Sequence, residues 1–276
     1  MFRKMIAALA LGVLPLPVMA QENQCGDDAR RIVEAAYPAV SPMSDVKYVV
    51  DGRELTVPLD EYLRIDPHVM VCRHWPAYPD RMLVAVPLMQ PSPSAEVVEG
   101  DLDLLVLNAE SLEVEARLRL DGFIEEDAIY LAGIWFDTAP YRLIGDRIAF
   151  GLRREMTGSS RPNPFDLTGL WLFDVEGGKI RPILEGLQVE LSRGEWDTDC
   201  AGEFEQSESV LDVAPTTQNG AADIILRQTM TTTINARDGG ECKGTDTLHD
   251  VPPVTLRYDG QRYPVPDELL DLYVKG

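Results

Sequence analysis

The sequence predicts a mainly β protein: antiparallel sandwich or barrel-like sheets behind one short N-terminal helix, with a propeller-like arrangement as the alternative. Three observations carry this reading. Short apolar or alternating runs recur along the chain between turn-forming clusters, the pattern of antiparallel all-β folds. Residues 113–120 alternate cleanly, with Val114, Ala116, Leu118 and Leu120 pointing in and Glu113, Glu115, Arg117 and Arg119 pointing out. After residue 65, helical spacing of apolar residues is almost absent.

The helix is expected over Asp27–Tyr37. Asp27 and Asp28 suit the positive end of its dipole, Ile32, Val33 and Ala36 give it an apolar face, and Pro38 stops it. Val46–Val57 reads as a hairpin, because Asp51-Gly52 accepts the positive φ of a tight turn. Val69–Cys72 and Met82–Leu88 form a second strand pair across the aromatic and proline-rich RHWPAYPD. Gln90–Asp101 is rich in proline and serine and marks the expected boundary between a small N-terminal lobe, 21–95, and a main β lobe, 96–276, packed together as one unit.

In the second segment, Leu102–Leu107 is apolar on both faces apart from Asp103, the mark of a central strand. Ile129–Phe136 is a further apolar run, and Tyr141–Arg154 reads as a hairpin turning at Gly145-Asp146. A long loop of turn-formers follows over Thr157–Thr168. Leu170–Cys200 is the strongest β signal and the expected centre of the fold, with Leu187, Val189 and Leu191 alternating against polar neighbours. Val210–Val213 is expected as a short strand, Asp223–Arg237 as a long threonine-rich one, and Thr255–Val265 as a closing hairpin around Asp259-Gly260.

Two internal similarities bear on architecture. DGRELTVPLDEYL from Asp51 and DGQRYPVPDELL from Asp259 share Asp-Gly and Val-Pro at one spacing, as two equivalent hairpins at the chain ends would. LLVLNAESLEVEARLRL from Leu104 and LWLFDVEGGKIRPILEGL from Leu170 share strand, acidic turn and strand, which resembles part of a propeller blade. Propellers repeat such a unit four or more times, and two are present here.

Residues 1–20 have the parts of a secretory signal peptide: Arg3 and Lys4, an apolar run from Met5 to Val18 broken by Pro15 and Pro17, and Val18-Met19-Ala20 before the cut. The run is shorter than the ~20 apolar residues that cross a bilayer, so no stable membrane insertion is expected. The expected location is periplasmic or secreted. In an oxidising compartment the four cysteines favour two disulfides, Cys25–Cys72 and Cys200–Cys242, because near neighbours in sequence meet most readily. A zinc site is the alternative, but the chain has no CxxC, and Cys72 with His74 lacks partners at finger spacing.

Removing Arg3 and Lys4 from the 25 basic residues leaves 23 against 46 acidic ones, a net charge of −23. That argues against nucleic acid, whose phosphates call for a positive surface. The chain contains no GxSxG, HExxH, P-loop or GxGxxG, and no cofactor is implied. Ser159 and Ser160 would need a base from His68, His74 or His249 to act as nucleophiles. Glu195, Asp197 and Asp199, with Glu203 and Glu205, place carboxylates at alternate positions as a calcium site would, without EF-hand spacing. Arg142, Arg147, Arg153, Arg154 and Arg161 stand against only Asp146 and Glu155, a local net +3 beside the long loop, and form the candidate binding loop. Arginine forks suit carboxylate or phosphate.

Two functional readings follow. The first is a non-catalytic binding or interaction protein that grips a protein or an anionic ligand through this loop. The alternative is an envelope hydrolase with an unrecognised carboxylate or serine site.

Overall fold

The computed structural model describes residues 23–58, 66–91 and 98–273; the expected signal peptide, residues 1–20, lies outside them. Gly26–Asp28 form one 3-10 turn that leads into α1 (Ala29–Ala36). Fifteen strands follow: β1 (Ser41–Pro42), β2 (Lys47–Val50), β3 (Arg53–Thr56), β4 (Val71–His74), β5 (Arg81–Met89), β6 (Val98–Asn108), β7 (Val114–Glu126), β8 (Ile129–Tyr141), β9 (Ala149–Gly158), β10 (Phe165–Glu176), β11 (Lys179–Trp196), β12 (Gly202–Gln218), β13 (Ala221–Asp238), β14 (Glu241–His249) and β15 (Val254–Leu256). They make two antiparallel sheets with no closed barrel, a sandwich rather than a set of blades.

Sheet A runs β1-β2-β3-β5-β6-β7, with β4 sharing β5's edge beside β3. Sheet B runs β14-β13-β12-β11-β10-β9-β8, with β15 on β13. The expected lobe boundary at 95/96 falls inside sheet A. There β5 and β6 pair from Arg81↔Asn108 to Met89↔Gly100, and Leu105, Leu107 and Leu112 share a core with α1. The chain passes from sheet A to sheet B at the corner between Glu126 and Ile129.

Three apolar layers explain the order of the elements. In the first, α1 lays Ile32, Val33 and Ala36 on one face of sheet A, against Val84, Val86, Leu105 and Leu107. In the second, the opposite face of sheet A (Leu83, Ala85, Leu102, Leu104, Val106) packs on Phe136, Phe150, Leu152, Trp171 and Phe173 of sheet B. Trp75, from the RHWPAYPD connection, plugs this layer edge-on to Phe150, with ring centroids 5.3 Å apart. In the third, sheet B curls around Leu170, Leu172, Leu184, Leu187 and Val189, and Leu256, Tyr258, Tyr263 and Leu269 fill the curl. The curl is bridged at Ile144↔Ala221. Strands with both faces buried read as continuous apolar runs, which is why β5, β6 and β10 carry the strongest signal in the sequence.

Arg117 and Arg119 lie on the outer face of β7 but are not simply solvated. Their face of β7 lies under the end of α1, where Arg119 grips the fully buried Asp103 with two bonds of 2.7 and 3.0 Å, and Tyr37 donates to the same carboxylate at 2.9 Å. Arg117 donates to the Ala36 carbonyl at 2.6 Å and covers the Tyr37 ring. A helix of one face and eight residues is thereby tied at its C-terminus by charge as well as packing.

The expected closing hairpin is not formed. Only β15 is strand, and the chain beyond the turn at Asp259 runs along the open edge of β11, where Tyr263 N–H donates to Ile183 O and Asp271 N–H to Gly186 O, both at 2.7 Å. Asp51-Gly52 does turn β2 into β3, at φ 50° and 78°, so the two Asp-Gly segments are not structural equivalents. The expected short strand Val210–Val213 is part of the 17-residue β12.

Beyond Glu190 the sheet runs out past the third core layer, with Leu191, Ser192 and Arg193 still paired to Leu167, Asp166 and Phe165 of β10. The ends of β11 (191–196) and β12 (202–209), with 228–238 of β13 and all of β14, form an arm of four strands. Most of its residues are exposed or half-buried, and β14 is exposed at all nine positions. Cys200–Cys242 staples its tip, while Cys25–Cys72 ties the entry to α1 onto β4.

Candidate functional site

The five arginines of the candidate loop are not brought together. β9 alternates, so Arg153 and Arg154 leave on opposite faces of sheet B. Arg154 enters the body. It is 3% exposed, lies against both rings of the edge-to-face pair Phe123 and Trp171, and bonds Phe123 O at 2.7 Å and Asp271 Oδ2 at 3.0 Å. Gly169 is required beside it, since a Cβ there would fall 2.1 Å from Asp271 Oδ2. Arg147 is spent on a bidentate pair with the buried Asp174, at 2.9 Å on both arms, and on Glu176. The Asp174 hydrogen bonds hold its guanidinium above the ordinary arginine pKa.

Arg153 pairs with Asp137 at 2.9 Å and Glu190 at 3.3 Å, and Arg142 bonds the Asp146 carbonyl at 2.8 Å. Only Arg161 remains exposed without a carboxylate among the described residues, and it lies over the Trp196 ring, whose Nε1 donates to the Arg161 carbonyl at 2.7 Å. The local +3 of the sequence is therefore cancelled in space by acids from β8, β10 and β11, which linear distance concealed.

Several of the remaining polar candidates are also engaged. Ser160 Oγ accepts from Asn163. His68 sits between Asp66 at 3.3 Å and Glu126 at 2.7 Å. Burial alone would lower its pKa, but the hydrogen bonds to Asp66 and Glu126 prevail and raise it to about 9, so it stands as a cation at neutral pH. His249 bonds Thr232 at 2.8 Å. Asp197 accepts the backbone N–H of Asp199 and Cys200, Asp199 pairs with Arg237, and Glu205 pairs with Arg193 at 2.8 Å, so these three serve the turn and the arm.

What the structure does assemble is a groove at the root of the arm, with a volume of about 480 Å³. Its floor continues outward from the third core layer: Leu191 of β11 with Leu226 and Met230 of β13, interspersed with Gln188, Ser207 and Gln228. Register builds this floor, because Leu191, Ser207 and Met230 are cross-strand partners and share one face. One wall is the turn after β14, with Val251, Pro252 and Val254. The other is the C-terminal segment, with Leu269, Leu270 and Leu272. Leu272 is 67% exposed at the rim. Asp267, Glu268 and the paired Arg193–Glu205 supply the polar margin, which is net negative.

The C-terminal wall is held at its base. Asp271 lies between Leu270 and Leu272 in the chain, and its carboxylate is the partner of buried Arg154. The sequence carries two faint traces of this groove: the alternation Leu187, Val189, Leu191 runs one step past the buried core, and Met230 interrupts a threonine run. Neither shows that the C-terminal segment comes to lie against them. Comparison of the chain with protein-family models, with curated proteins and with solved structures finds no match.

Proposed function

We propose that the chain is an exported binding protein whose site is the groove at the root of the arm. The two disulfides and the signal-like N-terminus support the periplasmic or extracellular location, and no helix among the described residues is long and apolar enough to cross a membrane. The observation that carries the binding reading is the groove itself, a partly apolar floor and two apolar walls within the size range of small-ligand sites. Its acidic margin selects the ligand class: an apolar chain carrying a positive group, as a lysine- or arginine-bearing apolar peptide segment presents. An anionic ligand gripped by the five arginines together draws no support from the geometry, because Arg147, Arg153 and Arg154 are paired with carboxylates from within the chain and Arg161 stands apart over Trp196.

The test uses octylammonium and octanoate as matched probes, read through the 13C-methyl signal of Met230. Octylammonium is expected to shift that signal saturably, octanoate to bind at least tenfold more weakly, and Leu272→Asp to remove the response. No saturable shift, or equal binding of the two probes, contradicts the proposal.

A further inference from the structure

The arm presents a second surface, independent of the groove: the outer edge of β14. This strand pairs with β13 along all nine of its residues, from Met230↔His249 to Asp238↔Glu241. Among the described residues nothing pairs with its other edge, and every side chain on it is exposed. An open edge is a row of backbone donors and acceptors ready to take another strand. Natural sheets guard such edges with proline, bulges, short length or charge; β14 has no proline or bulge over its nine residues, and its guard is the charge of Glu241, Lys243 and Asp246.

The charge of the arm decides what the edge accepts. Residues 191–209 and 228–250 carry ten acidic side chains and three basic ones, a net −7. All three cations are consumed inside the arm: Arg193 by Glu205, Arg237 by Asp199 and Lys243 by Asp238. Among the described residues the other seven acids form no salt bridge within the chain. A second copy would bring −7 against −7, so self-pairing is disfavoured, while a basic strand is attracted.

Strand geometry then sets the pattern. Asp246 and Leu248 lie two residues apart and share one face of the arm, and Leu248 is 71% exposed there. Thr245, Thr247 and His249 occupy the other face. Cross-strand partners share a face, so a strand laid on this edge meets Asp246 and Leu248 with side chains that are also two apart. We infer that β14 is a docking edge for an extended segment of a partner protein, added antiparallel, with a basic residue opposite Asp246 and an apolar residue opposite Leu248. Main-chain bonds supply the attachment and the alternate side chains supply the choice of sequence, the usual division in strand addition.

The probe is the labelled peptide acetyl-Thr-Ile-Thr-Lys-Val-Thr-Thr-amide, read by fluorescence anisotropy against the full oxidised protein. Its isoleucine falls opposite Leu248 and its lysine opposite Asp246. Saturable binding is expected, weakened about tenfold by Asp246→Lys and restored when the peptide carries glutamate in place of lysine. N-methylation of alternate peptide amides is expected to abolish it. Leu272→Asp, which alters only the groove, leaves it within about twofold, so failure here and failure of the groove are separate results. Absence of binding, or binding that ignores N-methylation or Asp246→Lys, overturns the inference. Sedimentation of the protein alone supplies the last outcome: a dimer dispersed by Thr247→Pro, which interrupts the strand edge, makes a second copy the occupant and overturns it as well.

Discussion

The body and the arm are parts of one sheet, yet they are held together by different forces. In the body, β10 buries Leu170, Leu172, Trp171 and Phe173 on its two faces, and each side is capped by another layer. In the arm, β13 and β14 present threonine, glutamate and aspartate to water on both faces, and the cohesion comes from the backbone ladder, cross-strand ion pairs and the Cys200–Cys242 staple. Exposed ion pairs contribute little, with a median near 0–1 kcal/mol. The difference teaches that sheet continuity does not mean uniform stability. The large buried side chains of the core end at Leu191, and from there outward the strands are held by the backbone ladder, the ion pairs and the buried Cys200 disulfide. The groove lies at the transition, where the apolar face of the body is left partly uncovered.

The comparison breaks most decisively at Arg154. Arg154→Ala leaves Asp271 charged, buried and without its partner, and removes the clamp on the C-terminal wall. A loss of about 3–5 kcal/mol in global stability is expected by denaturant titration. A loss under 1 kcal/mol would mean that the body does not depend on this ion pair.

The two disulfides offer a matched contrast, since they span 47 and 42 residues. Loop entropy alone gives either about 4 kcal/mol. Replacing Cys25 and Cys72 with serine is expected to cost about that much globally, because the tie sits in the core beneath α1. Replacing Cys200 and Cys242 is expected to cost less than about 1 kcal/mol globally while loosening β14, because arm and body do not unfold as one unit. Equal global losses would remove the distinction.

His68 gives the body a pH dependence. Its folded pKa of about 9 lies above the unfolded value near 6.5, so the stability from its contacts with Asp66 and Glu126 is complete below about pH 6.5 and lost as the pH rises towards 9. The contribution is at most about 3 kcal/mol. Comparing wild type with His68→Asn at pH 6 and pH 9.5 isolates it: the gap between the two proteins is expected to narrow at the higher pH.

The smallest effect belongs to Glu155. Burial, with Asp166 and Glu190 nearby, raises its carboxyl pKa, so its ionised form is disfavoured in the fold and it costs stability as the pH rises through that value. Glu155→Gln is expected to stabilise the protein at pH 7 by less than about 1 kcal/mol in the same titration, and to lose that advantage in acid.

The body was legible in the sequence because burial leaves a pattern. Leu102–Leu107 announces a central strand, the alternation of 113–120 places β7, and the cysteine spacing anticipates both disulfides. The first half of β12 was not legible: Glu203–Ser209 has no apolar period, because its buried positions are occupied by Ser207 and Ser209. The arginine loop misled for a related reason. Charge counted along the chain omits Asp137, Asp174, Glu190 and Asp271, which reach those arginines only through sheet pairing and the returning C-terminus. The groove was invisible because one of its walls lies roughly 40 residues beyond its floor in sequence, at Leu270 against Met230.

Native-state hydrogen exchange on the oxidised protein tests the central claim most directly. If the arm is a display surface carried by a separately stable body, the amides of β14 will exchange through local opening at a free energy well below that of global unfolding. Those of β6 and β10 will exchange only when the whole body opens. Protection of β14 equal to that of β10 would contradict the account.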